Sequence, residues 1–158
     1  MTPQDVELIR SSFAQLHRRK AETAQLFYGR LFAIAPATRP LFKGDIKAQG
    51  AKLMETLMVA LATLSDPAGL TILLERLGSR HRGYGVRPEH YDAVRAALLW
   101  TVEQTLGPSF TADIRIAWTA LYDQMAAIML GAAARADEKG AASLEAAPSY
   151  HPTLRQAG

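Results

Sequence analysis

The sequence predicts an all-α fold of about six or seven helices, and three features of its pattern lead to that prediction. Apolar residues recur every three or four positions in several long stretches, as they do on the buried face of an amphipathic helix. No stretch shows the two-residue alternation of a half-buried strand, and no internal repeat is visible. Prolines, glycines and capping residues separate these stretches where helices should begin and end.

The first half of the chain predicts three helices and one short turn of helix. Thr2 precedes a proline and an acidic residue, so a first helix begins there and extends to about residue 19. A second helix is expected over residues 21–35, because the proline that follows disfavours its continuation. Two closely spaced prolines then predict a tight turn that ends at Phe42, and a third helix covers about residues 46–64.

The second half predicts three more helices. A leucine stripe indicates a fourth helix, which ends at a glycine-rich corner. A fifth helix over residues 88–106 begins with proline and stops at a Gly-Pro pair, and a last helix is expected over about residues 111–135. Residues 137–158 have no periodic apolar face, which predicts a disordered tail after a single domain of residues 1–136.

His81 is a candidate metal ligand because it lies on the leucine stripe of the fourth helix, four residues after Leu77. Its imidazole is therefore expected to point inward. A neutral imidazole at the rim of an apolar cavity is a good iron ligand, since a backbone carbonyl one turn earlier can orient its other nitrogen. The alternative is a partly buried histidine that its neighbours satisfy.

Tyr28 and Gln49 are polar residues on otherwise apolar helix faces. A buried tyrosine needs a partner, so the Tyr28 hydroxyl either bonds to backbone or donates into a cavity. Gln49 precedes Leu53 by four residues, so both side chains would face the same space. Alternatively, Gln49 faces water at the mouth of the core.

Composition excludes several classes of protein. The chain has 158 residues, four histidines and no cysteine, which excludes a thiolate metal site and a cysteine nucleophile. Its formal net charge of +3 is spread without a dense basic run, so nucleic acid binding is not expected. No apolar run is long enough to cross a bilayer, and we expect a cytoplasmic protein, monomeric or homodimeric, that does not bind membranes.

Five fragments in sequence order resemble a bacterial globin, namely FYGRLF, PATRPLF, QGAKL, LGSRHRGYGV and PEHY. They are most similar to the haem domain of flavohaemoglobins and to the single-domain bacterial haemoglobins, over roughly residues 3–135. The resemblance implies a globin fold around haem b, with His81 as the proximal iron ligand.

The resemblance also implies roles for residues on the distal side of the haem. Phe42 would stack against the porphyrin, and Leu53 would limit the pocket volume and keep water out. Tyr28 and Gln49 match the family's distal residues. A phenol hydroxyl and an amide N–H can both donate to a ligand that gains negative charge in a dry pocket, which should slow the release of oxygen.

The resemblance places further residues on the proximal side of the haem and near its propionates. Leu77 and Tyr91 would lie beside the proximal histidine. Lys52 and Arg80 could pair with the haem propionates, because a cation gains more from a partly buried carboxylate than from an exposed one. The alternative for both is an ordinary solvated charge.

Three features depart from the family pattern. Ala133 occupies the place of a glutamate that works with the proximal histidine in flavohaemoglobins, and Glu138 lies too far along the helix to replace it. His81 should therefore behave as a plain neutral imidazole, and a peroxidase-like role is not expected. The loop between Phe42 and Gln49 is shorter than in many relatives. The chain is also expected to lack a flavin or nicotinamide domain, so it would need an external reductase.

The function implied by the resemblance is binding of oxygen, nitric oxide and carbon monoxide. With a separate reductase, such a protein would convert oxygen and nitric oxide into nitrate. A second hypothesis is storage or delivery of oxygen without turnover, which the sequence does not separate from the first. A third is a haem-free helical domain that binds partner proteins in its grooves.

Overall fold

The computed structural model describes the backbone of residues 1–146 and the side chains of residues 1–140, and in this part of the chain every regular element is helical. The all-α prediction is confirmed. Within residues 1–146, no helix combines the length and the apolar character needed to cross a bilayer. In chain order the elements are α1 (Pro3–Arg18), α2 (Lys20–Ile34), a 3-10 helix (Pro36–Leu41), α3 (Ile46–Ala62), α4 (Pro67–Gly83), α5 (Pro88–Leu106), a second 3-10 helix (Gly107–Ser109) and α6 (Ala112–Ala146).

Side-chain caps fix where three of the helices begin. The Thr2 hydroxyl accepts a hydrogen bond from the Asp5 N–H at 3.1 Å, and the Asp5 carboxylate accepts one from the Thr2 N–H at 2.8 Å. This reciprocal pair is a capping box. Asp45 and Asp66 accept hydrogen bonds from the first turns of α3 and α4 in a similar way. The starts of α3 and α4 are thus set by local chemistry.

Helices α4 and α6 cross at a contact between backbones. A Cβ atom placed on Gly78 would lie 2.3 Å from the carbonyl oxygen of Met129 and 2.7 Å from its Cα. Only a residue without a side chain allows this approach. Gly78 precedes His81 by three residues, so the crossing also fixes how the last turn of α4 lies against α6.

A second close crossing joins α2 and α3. A Cβ atom on Gly50 would lie 2.8 Å from the Cβ of Ala24. Gly50 directly follows Gln49, and Ala24 lies one turn before Tyr28. The approach of these two helices therefore brings the polar residues of α2 and α3 close together.

Two buried hydrogen bonds hold α6 to other helices. The Trp118 indole N–H donates to the Ser12 hydroxyl at 2.9 Å and so joins α6 to α1. The Tyr122 hydroxyl donates to the Tyr91 carbonyl oxygen at 2.6 Å and so joins α6 to α5. Because both Trp118 and Tyr122 are buried, an unmade bond at either site would cost about 1–3 kcal/mol.

The predicted end of the last helix near Arg135 is wrong, since α6 continues to Ala146. Extending an existing helix needs no new nucleus, and this segment is rich in alanine, the best helix former. Residues 137–146 of the predicted disordered tail are therefore helical. Residues 147–158 lie outside the described residues, and the domain boundary after residue 136 stays a prediction.

We expect Gly78→Ala to lower the free energy of unfolding by about 1–3 kcal/mol, because the added methyl group must push α4 and α6 apart. Urea denaturation followed by far-ultraviolet circular dichroism would measure the change. Gly29→Ala in α2 is the matched control, since a Cβ there meets nothing within 4 Å. That substitution should raise stability by up to about 1 kcal/mol. Similar effects of the two changes would contradict the close crossing.

Candidate functional site

An apolar cavity lies among α2, α3, α4, α5 and α6, and His81 is part of its wall. The cavity has a volume of about 160 Å³ and is partly open to solvent. Small-molecule sites usually enclose about 300–1,000 Å³, so a group of cofactor size would have to widen it. Its walls are almost entirely apolar. The lining residues include Phe27, Leu53, Leu77, His81, Val86 and Tyr91.

A backbone carbonyl orients the His81 imidazole. The ring atom Nδ1 lies 2.7 Å from the carbonyl oxygen of Leu77, one turn earlier in α4. A carbonyl oxygen only accepts hydrogen bonds, so Nδ1 must carry the proton. In the neutral ring Nε2 then keeps its lone pair, which is the form of histidine that binds metals. The hydrogen bond expected from the sequence is therefore present.

The chain turns sharply immediately after His81. The carbonyl oxygen of His81 accepts hydrogen bonds from the N–H groups of Tyr84, at 3.1 Å, and Val86, at 3.0 Å. Between them Gly85 has a φ of +87°, a conformation that favours glycine. As a result the Val86 side chain returns to the cavity wall, whereas Tyr84 remains 68% exposed outside.

Tyr28 is buried and belongs to an aromatic cluster with Phe32 and Phe42, which are half-buried. The ring centroids of Tyr28 and Phe42 are 5.2 Å apart in an edge-to-face arrangement, and those of Tyr28 and Phe32 are 5.8 Å apart. Burial raises the pKa of the Tyr28 hydroxyl to about 12, and an interaction with the Gln49 side chain partly opposes that rise. The phenol therefore stays protonated at neutral pH and keeps a proton to donate.

The structure brings some of the sequence-predicted residues to the cavity and leaves others outside its lining. Four of the predicted residues line the cavity: Leu53, Leu77, His81 and Tyr91. Tyr28, Gln49 and Phe42 lie outside that lining, in or beside the aromatic cluster. Lys52 and Arg80 are exposed, and neither forms an ion pair among residues 1–140.

Several cavity residues were missed by the sequence analysis. Phe27 was assigned to the general core, although it lies 5.0 Å from the Tyr28 ring centroid and shares in the cavity wall. The sequence pattern predicts only that Val86 lies in the corner after His81. An apolar residue in an otherwise polar, glycine-rich corner is the feature that could have indicated its burial. Met125 and Met129 were read only as the inner face of the last helix, but both line the cavity.

One buried hydroxyl at the cavity wall has no partner. The Tyr91 hydroxyl makes no hydrogen bond among the described residues, and burial raises its pKa. A buried polar atom without a partner is uncommon and costly in a folded protein. A polar group on a molecule bound in the cavity would therefore find a donor there.

The chemistry of the cavity suits a cofactor that supplies most of the ligands to its own metal. His81 supplies one nitrogen ligand, but residues 1–140 contain no cluster of three or more histidine and acidic side chains that could hold an ion alone. A metal at Nε2 would need further ligands, and a tetrapyrrole provides four nitrogens in one plane. The apolar walls suit its flat hydrocarbon faces. The chemistry of the donor set thus agrees with a haem.

Among the described residues, no carboxylate forms a hydrogen bond with the His81 ring. Ala133 is half-buried on α6, one turn after Met129. The carboxylates at this crossing, Glu75 and Asp137, are paired with arginines instead. The sequence-based expectation of a plain neutral imidazole at His81 stays a prediction.

Known proteins resemble this chain in sequence and in fold. The family model for globins matches residues 25–129. A flavohemoprotein of Vibrio cholerae serotype O1 is 28% identical over 148 residues, which cover 92% of this chain and 36% of that protein. A neuroglobin of Tetraodon nigroviridis is 28% identical over 143 residues, which cover 82% of this chain and 90% of that protein.

A solved structure shows the same fold. It is a hexacoordinated heme protein from an anhydrobiotic tardigrade, with a TM-score of 0.77 and 14% identity over 84% of this chain and 95% of the other. The likeness confirms the predicted globin fold. The chain spans only about a third of the length of the flavohemoproteins that it matches.

We expect the free energy of unfolding to fall as the pH rises from about 10 to about 12. Burial raises the pKa of Tyr28 in the folded state above the ordinary value near 10. The folded state then holds a proton that the unfolded state has lost, which costs about 1.4 kcal/mol per pH unit. Urea denaturation at several pH values should show a shallower decline for Tyr28→Phe than for Tyr84→Phe, which alters an exposed ring. Equal slopes would contradict the burial of Tyr28.

Proposed function

This chain belongs to the globin family, and we propose that it binds haem b in the cavity described above, with His81 as the axial ligand. The observation that carries the proposal is the hydrogen bond from His81 Nδ1 to the Leu77 carbonyl oxygen, at 2.7 Å. That bond leaves Nε2 free at the wall of an apolar cavity.

Haem supplies an iron centre that binds oxygen, nitric oxide and carbon monoxide. The chain's own residues exclude water, orient the axial imidazole and donate hydrogen bonds. Leu53 and Leu77 contribute to the apolar walls, and Tyr28 and Gln49 are proposed to donate to the ligand. Phe42 is proposed to pack on the porphyrin, and its contact with Tyr28 couples the two roles.

Access to the proposed ligand site involves a rearrangement of the aromatic cluster. Tyr28 is 4% exposed and packs against Phe32 and Phe42 outside the cavity lining. A haem bound on His81 would need more space beside Leu53, and we propose that the Tyr28 hydroxyl and the Gln49 amide turn toward that space. Lys52 and Arg80 are exposed, with freedom to reach haem propionates at the mouth.

The enzymatic part of the proposal is the conversion of oxygen and nitric oxide to nitrate in the cytoplasm, with electrons from a separate reductase. Its support is the similarity to flavohemoproteins, of which the chain covers about a third. Storage or delivery of oxygen without turnover is the second candidate. The similarity to a neuroglobin over 90% of that protein's length favours it.

We expect the purified protein to take up hemin with one sharp Soret band, which shifts on reduction and again on addition of carbon monoxide. His81→Gly should bind hemin without this ligation pattern, and free imidazole should restore it, because the cavity left by the side chain can hold the free base. His17→Ala is the control, since His17 lies near the Phe13 ring on α1, away from the cavity lining. An unaltered spectrum of His81→Gly would contradict axial ligation by His81.

We expect Tyr28→Phe to speed the dissociation of oxygen by about ten-fold or more, since a hydrogen bond to a charged group contributes roughly 1.5–3 kcal/mol. Stopped-flow displacement of oxygen by carbon monoxide would measure the rate. Tyr84→Phe, at an exposed ring, should leave it unchanged. The same rate in Tyr28→Phe as in the unmodified protein would show that Tyr28 does not donate to the ligand.

Steady turnover with a reductant present separates the two candidate functions, because a single reaction of the reduced, oxygen-equilibrated protein with nitric oxide leaves the haem ferric and completes no cycle. With a flavin reductase, NADH, oxygen and nitric oxide added, formation of many nitrates per haem is expected for the enzymatic function. Formation of no more than about one nitrate per haem would leave storage or delivery of oxygen as the function.

A further inference from the structure

We propose that the corner between α4 and α5, residues 80–87, is the docking surface for an acidic electron-donor protein. The proposal rests on the haem function proposed above and names the partner that would reduce the site. This segment is called the basic corner below. Its three arginines are accompanied by no acidic residue.

The basic corner presents one aromatic ring and unpaired positive charge to solvent. Tyr84 is 68% exposed, more than any other large hydrophobic residue among those whose side chains are described. Arg87 is exposed and forms no ion pair within residues 1–140. Arg82 is paired with Asp137, and Arg80 is assigned above to a haem propionate. An aromatic residue flanked by arginines is the composition that protein interfaces favour.

Helix electrostatics explain only part of this charge. Arg80 and Arg82 lie in the last turn of α4, where cations stabilise the negative end of the helix dipole. Arg87 lies at the start of α5, where the dipole is positive and a cation is unfavourable. The exposure of the Tyr84 ring also brings no gain from burial. Neither the helix dipole nor burial thus accounts for these two side chains, and both lie on the same corner.

The basic corner is also part of the cavity wall next to His81. Val86 lines the cavity from within, and its N–H donates to the His81 carbonyl oxygen at 3.0 Å. Its chain neighbour Arg87 is exposed on the outside. A protein seated on Tyr84 and Arg87 would thus be separated from a group held by His81 by about one layer of residues. Electron transfer requires such a short path.

The 3-10 helix extends the positive surface beside the corner. The Leu41 side chain lies 3.5 Å from the position of a Cβ on Gly85, so the two segments are in contact. Arg39 on the same 3-10 helix is exposed and places its guanidinium 5.2 Å from the Phe32 ring centroid. An acidic partner is therefore attracted over two adjoining segments. Such charge complementarity speeds encounter, which suits the small, transient interfaces of electron-transfer pairs.

The test uses reduced plant-type [2Fe–2S] ferredoxin, a small acidic donor, mixed with the haem-loaded ferric protein in a stopped-flow instrument. One electron leaves the reduced cluster and converts ferric to ferrous iron, which the Soret band reports. The variants are Arg87→Glu and Tyr84→Ala. Matched controls are Arg18→Glu, an exposed arginine on α1, and Ile116→Ala, a residue of α6 that is 61% exposed.

We expect the second-order rate constant for reduction by ferredoxin to fall about ten-fold or more in Arg87→Glu at low salt. For the unmodified protein, this rate constant should fall steeply as salt is added. Tyr84→Ala should also react more slowly. Both controls should react like the unmodified protein, and dithionite should reduce all variants at one rate. Equal rates with ferredoxin for Arg87→Glu and Arg18→Glu would overturn the proposal.

Failure of the proposed haem function would be visible separately, as the absence of a Soret band after hemin is added. In that case calorimetric titration of the haem-free protein with oxidised ferredoxin still decides the docking question. Salt-sensitive binding that Arg87→Glu abolishes and Arg18→Glu preserves would support the docking surface. Absence of binding, or equal binding by both variants, would overturn it.

Discussion

The backbone contact between Gly78 and Met129 is the constraint on which the site depends. Because the two helices touch without intervening side chains, the last turn of α4 has one position relative to α6. The orientation of His81 follows from that position together with its hydrogen bond to Leu77. Helix α6 is itself held to α1 and α5 by the buried bonds of Trp118 and Tyr122. The geometry around His81 thus depends on α1, α5 and α6 as well as on its own helix.

Local periodicity was sufficient to predict the inward direction of His81 and its carbonyl partner. Both depend on the spacing of four residues within one helix, which does not change with the rest of the fold. The capping residues and prolines likewise placed the helix starts, because their effects extend over only one turn. The close crossing at Gly78 could not be predicted in this way, since a glycine within a helix does not indicate which helix will approach it.

The sequence predicted well whether a residue lies on the buried face of its helix. It predicted less well whether that residue lines the cavity. Tyr28 and Gln49 were expected to face one pocket, and they do interact, yet neither lines the cavity. The cavity wall instead includes Phe27, the chain neighbour of Tyr28. A shift of one residue on a helix rotates the side chain by about 100°, and the exact rotation is set by long-range packing. Distances between helices therefore had to come from the structure.

The length of α6 affects how the folded protein opens. Its 35 residues span about 52 Å, whereas the buried side chains among residues 112–140 lie between Ile114 and Ala132. Residues 133–140 are half-buried or exposed, and this part of the helix is held by its own backbone hydrogen bonds and by ion pairs to α4. Protection of amide hydrogens from exchange with solvent should consequently decline along this single helix, from values near global unfolding around Trp118 to low values past Asp137. Partial unwinding from that end would release the ion-paired turns of α4 while the rest of the core remained intact.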